Sequence, residues 1–367
     1  MKACVIGSTG KGNYGHGMDV VWQAFPQIEI AAVADDDAAG LAKASGRLGG
    51  AKPYADYRQM LAAEKPDLVS ICPRWPDQHR DMLVAAAEAG VLGVYMEKPM
   101  CRSLEEADAM IAAAEKHGMK AAVAHQTRYS PVVHAAKQMV EDGKIGRVLE
   151  LRGRGKDDPR GGGEDLWVLG VHVFNLMHYF GGEPTWCSAL VEQGGEPVTK
   201  AHVKPGNEAL GPLAGDHLAA MFRLSGGAFG YFSSARAAAP RDDPSRFGIT
   251  IYGSDGVIAL EFGYLPRAHW LPDGSWTPGR TGKAWVPISS NGPGEPETLK
   301  IGSQLGDGNV AAVRDLLHAI ADDRQPECSL YEARTTISMV SAVFESHRLG
   351  KPVGFPLENR KNPLGML

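Results

Sequence analysis

The sequence predicts an α/β protein. A doubly wound parallel sheet is expected first, then a region built on an antiparallel sheet. Three observations carry this expectation. Over the first 125 residues, short apolar runs alternate with helical patterns, the order that right-handed βαβ units produce. A glycine-dense stretch, GSTGKGNYGHG at 7–17, follows the first apolar run. From about residue 146 the pattern changes to strand-like runs joined by Gly-containing turns.

The elements follow in order. KACVIG is strand-like, HGMDVVWQAF reads as a helix, and IEIAAVAD is the next strand. DAAGLAKASGRLG is helical, DLVSIC is a strand and DQHRDMLVAAAEAG a helix. VLGVYME and SLEEADAMIAAAEKHG repeat the unit, and KAAVAH closes the series. Ser103 with Glu106 fits a capping box, and Gly118 fits a helix stop. Further on, GRVLELRGRG, DHLAAMFRLSGG, GAFGYFSSARA and FGITIYGSDGVIALEFG read as strands. One helical stretch, EDLWVLGVHVFNLMHYF, is inserted among them, and NVAAVRDLLHAIADD and YEARTTISMVSAVFESHRLG follow. The expected organisation is a dinucleotide-binding domain over 1–124, a substrate-binding and oligomerisation domain over 125–345, and a C-terminal tail over 346–367.

Composition narrows the function classes. The chain has 367 residues and is 44% apolar, enough for two full cores. A net charge of -5 gives no electrostatic reason to expect nucleic acid or an anionic membrane surface as partner. No apolar run is long enough to span a bilayer, and MKACVIG reads as a buried strand rather than a leader. Cys4, Cys72, Cys101, Cys187 and Cys328 are scattered with no CxxC pair. That argues against structural zinc and disulfides and suits a reducing cytoplasm.

In a doubly wound sheet, ligands sit beyond the carboxyl ends of the strands. Those ends carry Gly7 onward, Asp35, Cys72-Pro73, Glu97-Lys98-Pro99 and His125-Gln126. A glycine loop there lets backbone approach a pyrophosphate, and a following helix N-terminus adds donors. GKGNYG at 10–15 spells GxGxxG, a weak signal alone. Because the loop is long, Gly7, Ser8, Thr9, Gly10 and Gly12 are the expected contacts. No Gly-Lys-Ser/Thr occurs, which excludes a P-loop. Asp35 ends the second strand, 28 residues after Gly7. An acid there accepts hydrogen bonds from a ribose and repels a 2′-phosphate. Three consecutive acids with no nearby Arg point to NAD, with Asp37 left to cap the next helix. Lys98 precedes Pro99 and is held extended. It is pushed into the crevice, where it could hold a substrate hydroxyl and relay its proton. The alternative is a surface lysine paired with Glu97.

These pieces together resemble the Gfo/Idh/MocA family of NAD(P)-dependent oxidoreductases. The match rests on the glycine loop, VADDD, CPRWPDQH with Pro73 and His79, GVYMEKPM, QTRYSPVVHAAKQMVEDGKIGRV, LGVHVFNLMHYFGGEP and LLHAIADDRQPECS. It covers most of residues 1–345. The resemblance implies a Rossmann domain followed by an α/β domain with a large, mostly antiparallel sheet. It implies NAD, a sugar or cyclitol-like substrate, and a homo-oligomer, dimer or tetramer, formed through that sheet. It also implies that Lys98 is the catalytic lysine, with Glu97 and Pro99 beside the nicotinamide, and that His172 is the general acid/base. A hydroxyl proton must leave as hydride leaves carbon, and His suits that task near neutral pH. A buried core histidine is the alternative for His172. The expected geometry brings Lys98 and His172 to one nicotinamide ring.

The sequence departs from the family at one informative place. The common Asp-x-x-x-His pattern would put an acid four residues before His172, where Val168 stands. The nearest upstream acid is Asp165, which on a straight helix lies roughly 10 Å away along the axis. Asp165 is therefore a substrate contact or a first-turn acid. Trp167 is expected to shape the substrate pocket, and Asn175 to hold the imidazole or a substrate hydroxyl. Trp75 could stack on the nicotinamide or a sugar face. His79, Cys72 and Gln126 are further cofactor candidates, and Arg128 a substrate one. Arg154, Lys156 and Arg160 suggest an acidic substrate or a solvated loop. His202 and His217 have no metal-ligand spacing, so no metal is expected. Three activities stay open: reversible alcohol oxidation, redox-neutral glycoside cleavage through a transient keto-sugar, and NAD binding with little catalysis. The first two differ in whether NADH accumulates.

Overall fold

The computed structural model describes residues 1–238 and 246–367. They form two compact units, each assembled from separate stretches of chain. The first comprises Met1–Gln126, Asn207–Gly211 and Gly302–Arg334, and the second Thr127–Gly206, Pro212–Ile301 and Thr335–Leu367.

The first unit is a six-stranded parallel sheet with the Rossmann strand order. Its strands are β1 (Lys2–Ile6), β2 (Glu29–Ala34), β3 (Lys52–Tyr54), β4 (Leu68–Ile71), β5 (Gly93–Met96) and β6 (Lys120–Val123), in the spatial order β3-β2-β1-β4-β5-β6. Four helices join them: α1 (Ala38–Arg47), α2 (Tyr57–Glu64), α3 (His79–Glu88) and α4 (Leu104–His117). Residues 3–6 of β1 are fully buried, as a strand covered on both faces must be. Ser103 caps α4 by accepting from Glu106 N–H at 3.2 Å, and Gly118 ends it at φ 67°. β3 has no apolar run to announce it. It is three residues long and carries Pro53, which an edge strand tolerates because one side of its ladder is unpaired.

One expected helix is absent. HGMDVVWQAF forms only a 3₁₀ turn, Val21–Ala24. Gly15 just before this stretch and Gly17 inside it have positive φ, which a right-handed helix excludes, and Pro26 follows the turn closely. The apolar spacing there reports burial of Met18, Val21, Trp22 and Phe25 rather than helicity. Their cover comes from far along the chain. The helix Gln304–Ala321, which the sequence places after the antiparallel sheet, packs on this turn and on β5 and β6.

The second unit is dominated by an eleven-stranded sheet. From one edge its path runs Gly292–Pro293, Val286–Ser289, Ala268–Leu271, Val257–Glu261, Gly248–Gly253, Val148–Arg154, Phe229–Ala235, His217–Leu224, Pro184–Gln193 and Val353–Gly354, with Glu196–Pro197 paired to Pro184–Gln193 off that path. Neighbours are antiparallel except Phe229–Ala235 beside Val148–Arg154, which is parallel. Pro184–Gln193 is a ten-residue strand that the sequence reading did not single out. Along His217–Leu224, Leu218, Ala220, Phe222 and Leu224 are buried in strict alternation, so one face is packed. The helix Val171–Gly181 covers it, and Phe174 lies 5.2 Å from Phe222 and 4.9 Å from Phe232 by ring centroids, in range for favourable aromatic pairs. Just before that helix, Leu166–Gly170 forms a π-helical turn. Among the described residues no helix is long and apolar enough to cross a membrane.

Candidate active site

At the carboxyl ends of β1 and β2 the glycine loop closes on itself. Ser8 and Asn13 exchange backbone hydrogen bonds at 3.1 and 2.9 Å, and Gly10 N–H donates to the Asn13 side chain at 3.1 Å. Gly12 is forced by a close approach. A Cβ there would meet the backbone nitrogens of Arg74 and Trp75 at 2.3 and 2.6 Å. A Cβ on Gly7 would enter the Tyr14 ring, so Tyr14 fills the space beside Gly7. Behind the loop stands the 3₁₀ turn Val21–Ala24 rather than an α-helix N-terminus, and the N–H groups of Gly7, Ser8, Thr9, Gly10 and Lys11 donate within the fold.

Asp35 is buried at the end of β2. Its carboxylate accepts from Thr9 Oγ1 at 2.7 Å and from the N–H groups of Thr9 and Asp37. It therefore braces the loop as well as facing a cavity of about 180 Å³ lined by Gly7, Ser8, Asp36, Arg58 and Gln78 among others. Asp37 caps α1, accepting from Gly40 N–H at 2.6 Å. Asp36 is exposed and pairs with Lys11 at 3.2 Å. The expectation that no arginine lies near these acids is corrected here: Arg58 lines the same cavity. The signal was missed because α2, which carries it, was not read from the sequence. A cavity holding Gly7 and the carboxylates of Asp35, Asp36 and Asp56 at these strand ends suits the ribose end of a dinucleotide.

Glu97 and Lys98 follow β5. Glu97 is fully buried and Lys98 is 8% exposed; the Lys98-Pro99 bond is cis. One Glu97 oxygen accepts from Lys98 N–H at 2.8 Å and the other meets His16 Nδ1 at 2.5 Å. Burial alone would raise the Glu97 pKa, yet it is held below the usual carboxylate range, because the His16 hydrogen bond and the Lys98 charge outweigh desolvation. Gly15 makes the approach feasible, since a Cβ there would meet Glu97 Oε1 at 2.8 Å. Asn309 donates to His16 O at 3.0 Å and accepts from Tyr95 OH and Gln126 Nε2 at 2.8 and 3.0 Å. His16 and Asn309 were missed by the sequence reading. The usable signal for His16 was chemical: a buried glutamate beside a lysine calls for a second partner.

The other cofactor candidates serve partly as scaffold. His79 is buried, with Nε2 bonded to Pro73 O at 2.7 Å and Nδ1 near Pro99 O at 3.1 Å, so it ties the loop after β4 to the loop after β5. Cys72 is buried, and desolvation pushes its thiol pKa well up. Trp75 is half-buried and precedes a short 3₁₀ turn.

In the second unit, His172 is half-buried, 6.3 Å from the Phe262 ring. Phe262 in turn stacks on Phe247 at 4.3 Å. Asn175 is buried, its Nδ2 3.5 Å from Thr336 Oγ1. Arg128 donates to Asn175 O at 3.2 Å and lies over the Tyr179 ring at 4.0 Å. Trp167 is fully buried. Asp165 is buried and accepts from Ser234 Oγ at 2.5 Å. Desolvation raises its pKa to about 6 against the opposing Ser234 bond. Arg154 pairs with Asp157 and Arg160 with Asp158, each at 2.6 Å, and Lys156 lies 3.8 Å from Asp158, so these cations are matched inside their own loop. His202 completes a capping box with Thr199, and His217 meets Glu192 at 3.3 Å. Among the described residues no group of three or more His, Cys, Asp or Glu could hold a metal ion.

Comparison with known proteins accords with this architecture. Residues 1–125 match the model of the Gfo/Idh/MocA oxidoreductase family with an NAD-binding Rossmann fold, and residues 133–259 match the Gfo/Idh/MocA C-terminal domain. Levoglucosan dehydrogenase of Pseudarthrobacter phenanthrenivorans is 29% identical over 264 residues, 65% of this chain and 66% of that protein. D-apiose dehydrogenase of Paraburkholderia graminis is 31% identical over 182 residues, 47% of this chain and 48% of that one. The chain thus spans about two thirds and about half of these two relatives. A solved levoglucosan dehydrogenase in complex with NADH and levoglucosan superposes with a TM-score of 0.76 at 23% identity, covering 97% of this chain and 99% of that one. The chain belongs to the Gfo/Idh/MocA family of oxidoreductases and carries its NAD-binding Rossmann fold.

Proposed function

We propose that this chain is an NAD-dependent dehydrogenase acting on a secondary hydroxyl of a sugar, cyclitol or related carbohydrate. The observation that carries the reading is Lys98, nearly buried at the carboxyl end of β5 and backed by the ionised Glu97. The names of the two relatives support the substrate class. NAD supplies a two-electron hydride acceptor. Gly7, Ser8, Thr9, Gly10 and Gly12 form its cradle, and Asp35 with Asp36 favours a ribose without 2′-phosphate. Cys72, Pro73, Trp75, His79 and Gln126 form the surrounding wall of the first unit. Lys98 donates a hydrogen bond to the substrate oxygen and relays its proton, while His172 is the base of the second unit. Arg128, Asp165, Trp167 and Asn175 shape the substrate domain around His172, and the buried ones do so as supports.

The test is a carbohydrate panel with added NAD, following NADH absorbance and sugar cleavage together. NADH without cleavage is the expected result. Cleavage without net NADH would replace this reading with redox-neutral glycoside chemistry.

We also read the chain as a cytoplasmic homo-oligomer, dimer or tetramer. All five cysteines are buried and none is in a disulfide, which suits a reducing compartment. One face of the large sheet carries a shallow cavity of about 540 Å³ lined by Arg152, Tyr231, Thr250 and Arg267 among others, a surface suited to a second copy. Light scattering that returned a monomer mass would remove the oligomer from the reading.

A further inference from the structure

We propose that the imidazole of His16, oriented by Glu97, is the acceptor through which Lys98 relays the substrate proton to solvent. The inference rests on the dehydrogenase reading above and narrows it: on this route the hydroxyl proton leaves through Lys98 and His16 rather than through His172. Oxidation of an alcohol releases one proton per turnover. Lys98, at 8% exposure, has little direct access to water. A relay through it needs an acceptor on the far side.

The first unit holds an imidazole tied to the same carboxylate as Lys98. A single carboxylate, Glu97, bonds the Lys98 backbone through one oxygen and His16 Nδ1 through the other, at 2.8 and 2.5 Å. It is fully buried and ionised, so it can only accept, and the hydrogen of a neutral His16 is therefore placed on Nδ1. The lone pair is left on Nε2, the nitrogen of a base. The His16 side chain is 33% exposed, which gives the imidazole a path to water that the buried pair lacks. Its backbone is pinned by Asn309, itself held by Tyr95 and Gln126. Glu97 thus fixes the ring, while Asn309, Tyr95 and Gln126 fix the backbone that carries it.

The step balances. Hydride, with both electrons of the C–H bond, passes to the coenzyme. Lys98 gives one ammonium proton to His16 Nε2 and takes the hydroxyl proton in its place. The carbonyl forms, and the imidazolium returns its Nε2 proton to water.

The experiment uses the full-length protein with His16→Gln, which keeps a donor for Glu97 and has no basic nitrogen. Because general acid–base groups contribute about 10²–10⁴-fold, the expected loss in kcat is about 10²-fold or more, with KM and NAD affinity within about twofold. Added imidazole should restore turnover. Separately, ¹⁵N NMR of histidine-labelled protein without coenzyme should show the Nδ1–H tautomer for His16, and Glu97→Gln should abolish that preference. An unchanged kcat in H16Q, with His172→Gln inactive, would mean that the proton leaves through His172 alone. A loss confined to NAD affinity and not rescued by imidazole would assign His16 to loop structure. A wild-type Nε2–H tautomer would overturn the relay whatever the kinetics. Absence of NADH from every polyol would instead overturn the dehydrogenase reading, while the NMR result still judged the oriented imidazole.

Discussion

Glu97 and Asp165 are both carboxylates removed from water, and they shift in opposite directions. Glu97, in the first unit, is held below its ordinary range although it is wholly buried. Asp165, in the second, is pushed up to about 6. Desolvation is the largest influence on each. The difference lies in the company. Glu97 has an imidazole at 2.5 Å, a backbone donor at 2.8 Å and the charge of Lys98. Asp165 has a hydroxyl at 2.5 Å and the like charges of Asp157 and Asp158. Burial therefore does not say which carboxylate is charged; the partners do. That distinction separates a carboxylate held ionised below the usual range from one that takes up its proton as pH falls through about 6.

The comparison is broken most severely through the lysine. Lys98→Met removes the cation beside Glu97, and kcat/KM for the best substrate is expected to fall by roughly 10³ or more, with NAD binding retained by fluorescence titration. Survival of turnover would strip the Glu97 region of its chemical role.

Stability separates the two carboxylates next. Glu97→Gln leaves His16 and Lys98 without their anion, and is expected to destabilise the protein by about 3–5 kcal/mol near pH 8. The depressed pKa means that the Glu97 contribution is present above the ordinary carboxylate range and fades as pH falls through its lowered value. Asp165 runs the other way. Its raised pKa gives stability that is complete below about pH 4 and lost as pH rises through about 6. Asp165→Asn should therefore stabilise by about 1–2 kcal/mol at pH 8 and by little at pH 4. Chemical denaturation of both variants at the two pH values checks this, and equal effects of one sign would erase the contrast.

Coenzyme choice sharpens the picture of the first unit. Asp36→Ser removes an exposed acid paired to Lys11 and leaves Arg58 in the same cavity. Use of NADP relative to NAD is expected to rise about 10-fold, since one charge pair is worth about a pKa unit or two. Asp35→Ala should shift the preference too, and should also loosen the loop by freeing Thr9. An unchanged NAD/NADP ratio in both variants would leave Asp35 and Asp36 as braces only. The smallest effect is a control outside both regions. Ser103→Ala removes the α4 cap and should cost about 1 kcal/mol, equally at pH 4 and pH 8.

Much of this protein was legible before any coordinates. Alternation of apolar runs with helical patterns gives the parallel sheet, because burial on both faces demands such runs. Asp35, Lys98 and the glycine loop stand at strand ends for the same reason. The unread parts were those without a local signal. β3 is a polar edge strand. The expected first helix is an apolar turn entered through positive-φ Gly15 and Gly17, covered by a helix almost 300 residues away. Arg58 was invisible as a neighbour because its helix was.

The chain by its own periodicity determined which segments are strands and helices, and which residues end the strands, since those patterns follow from burial repeating along a regular backbone. Only the tertiary structure decided that His16 meets Glu97 across 81 residues, that Asn309 anchors it, and that Asp165 turns to Ser234. Hydrogen-bond partners are set by where the folded backbone places distant residues, and no local spacing encodes that.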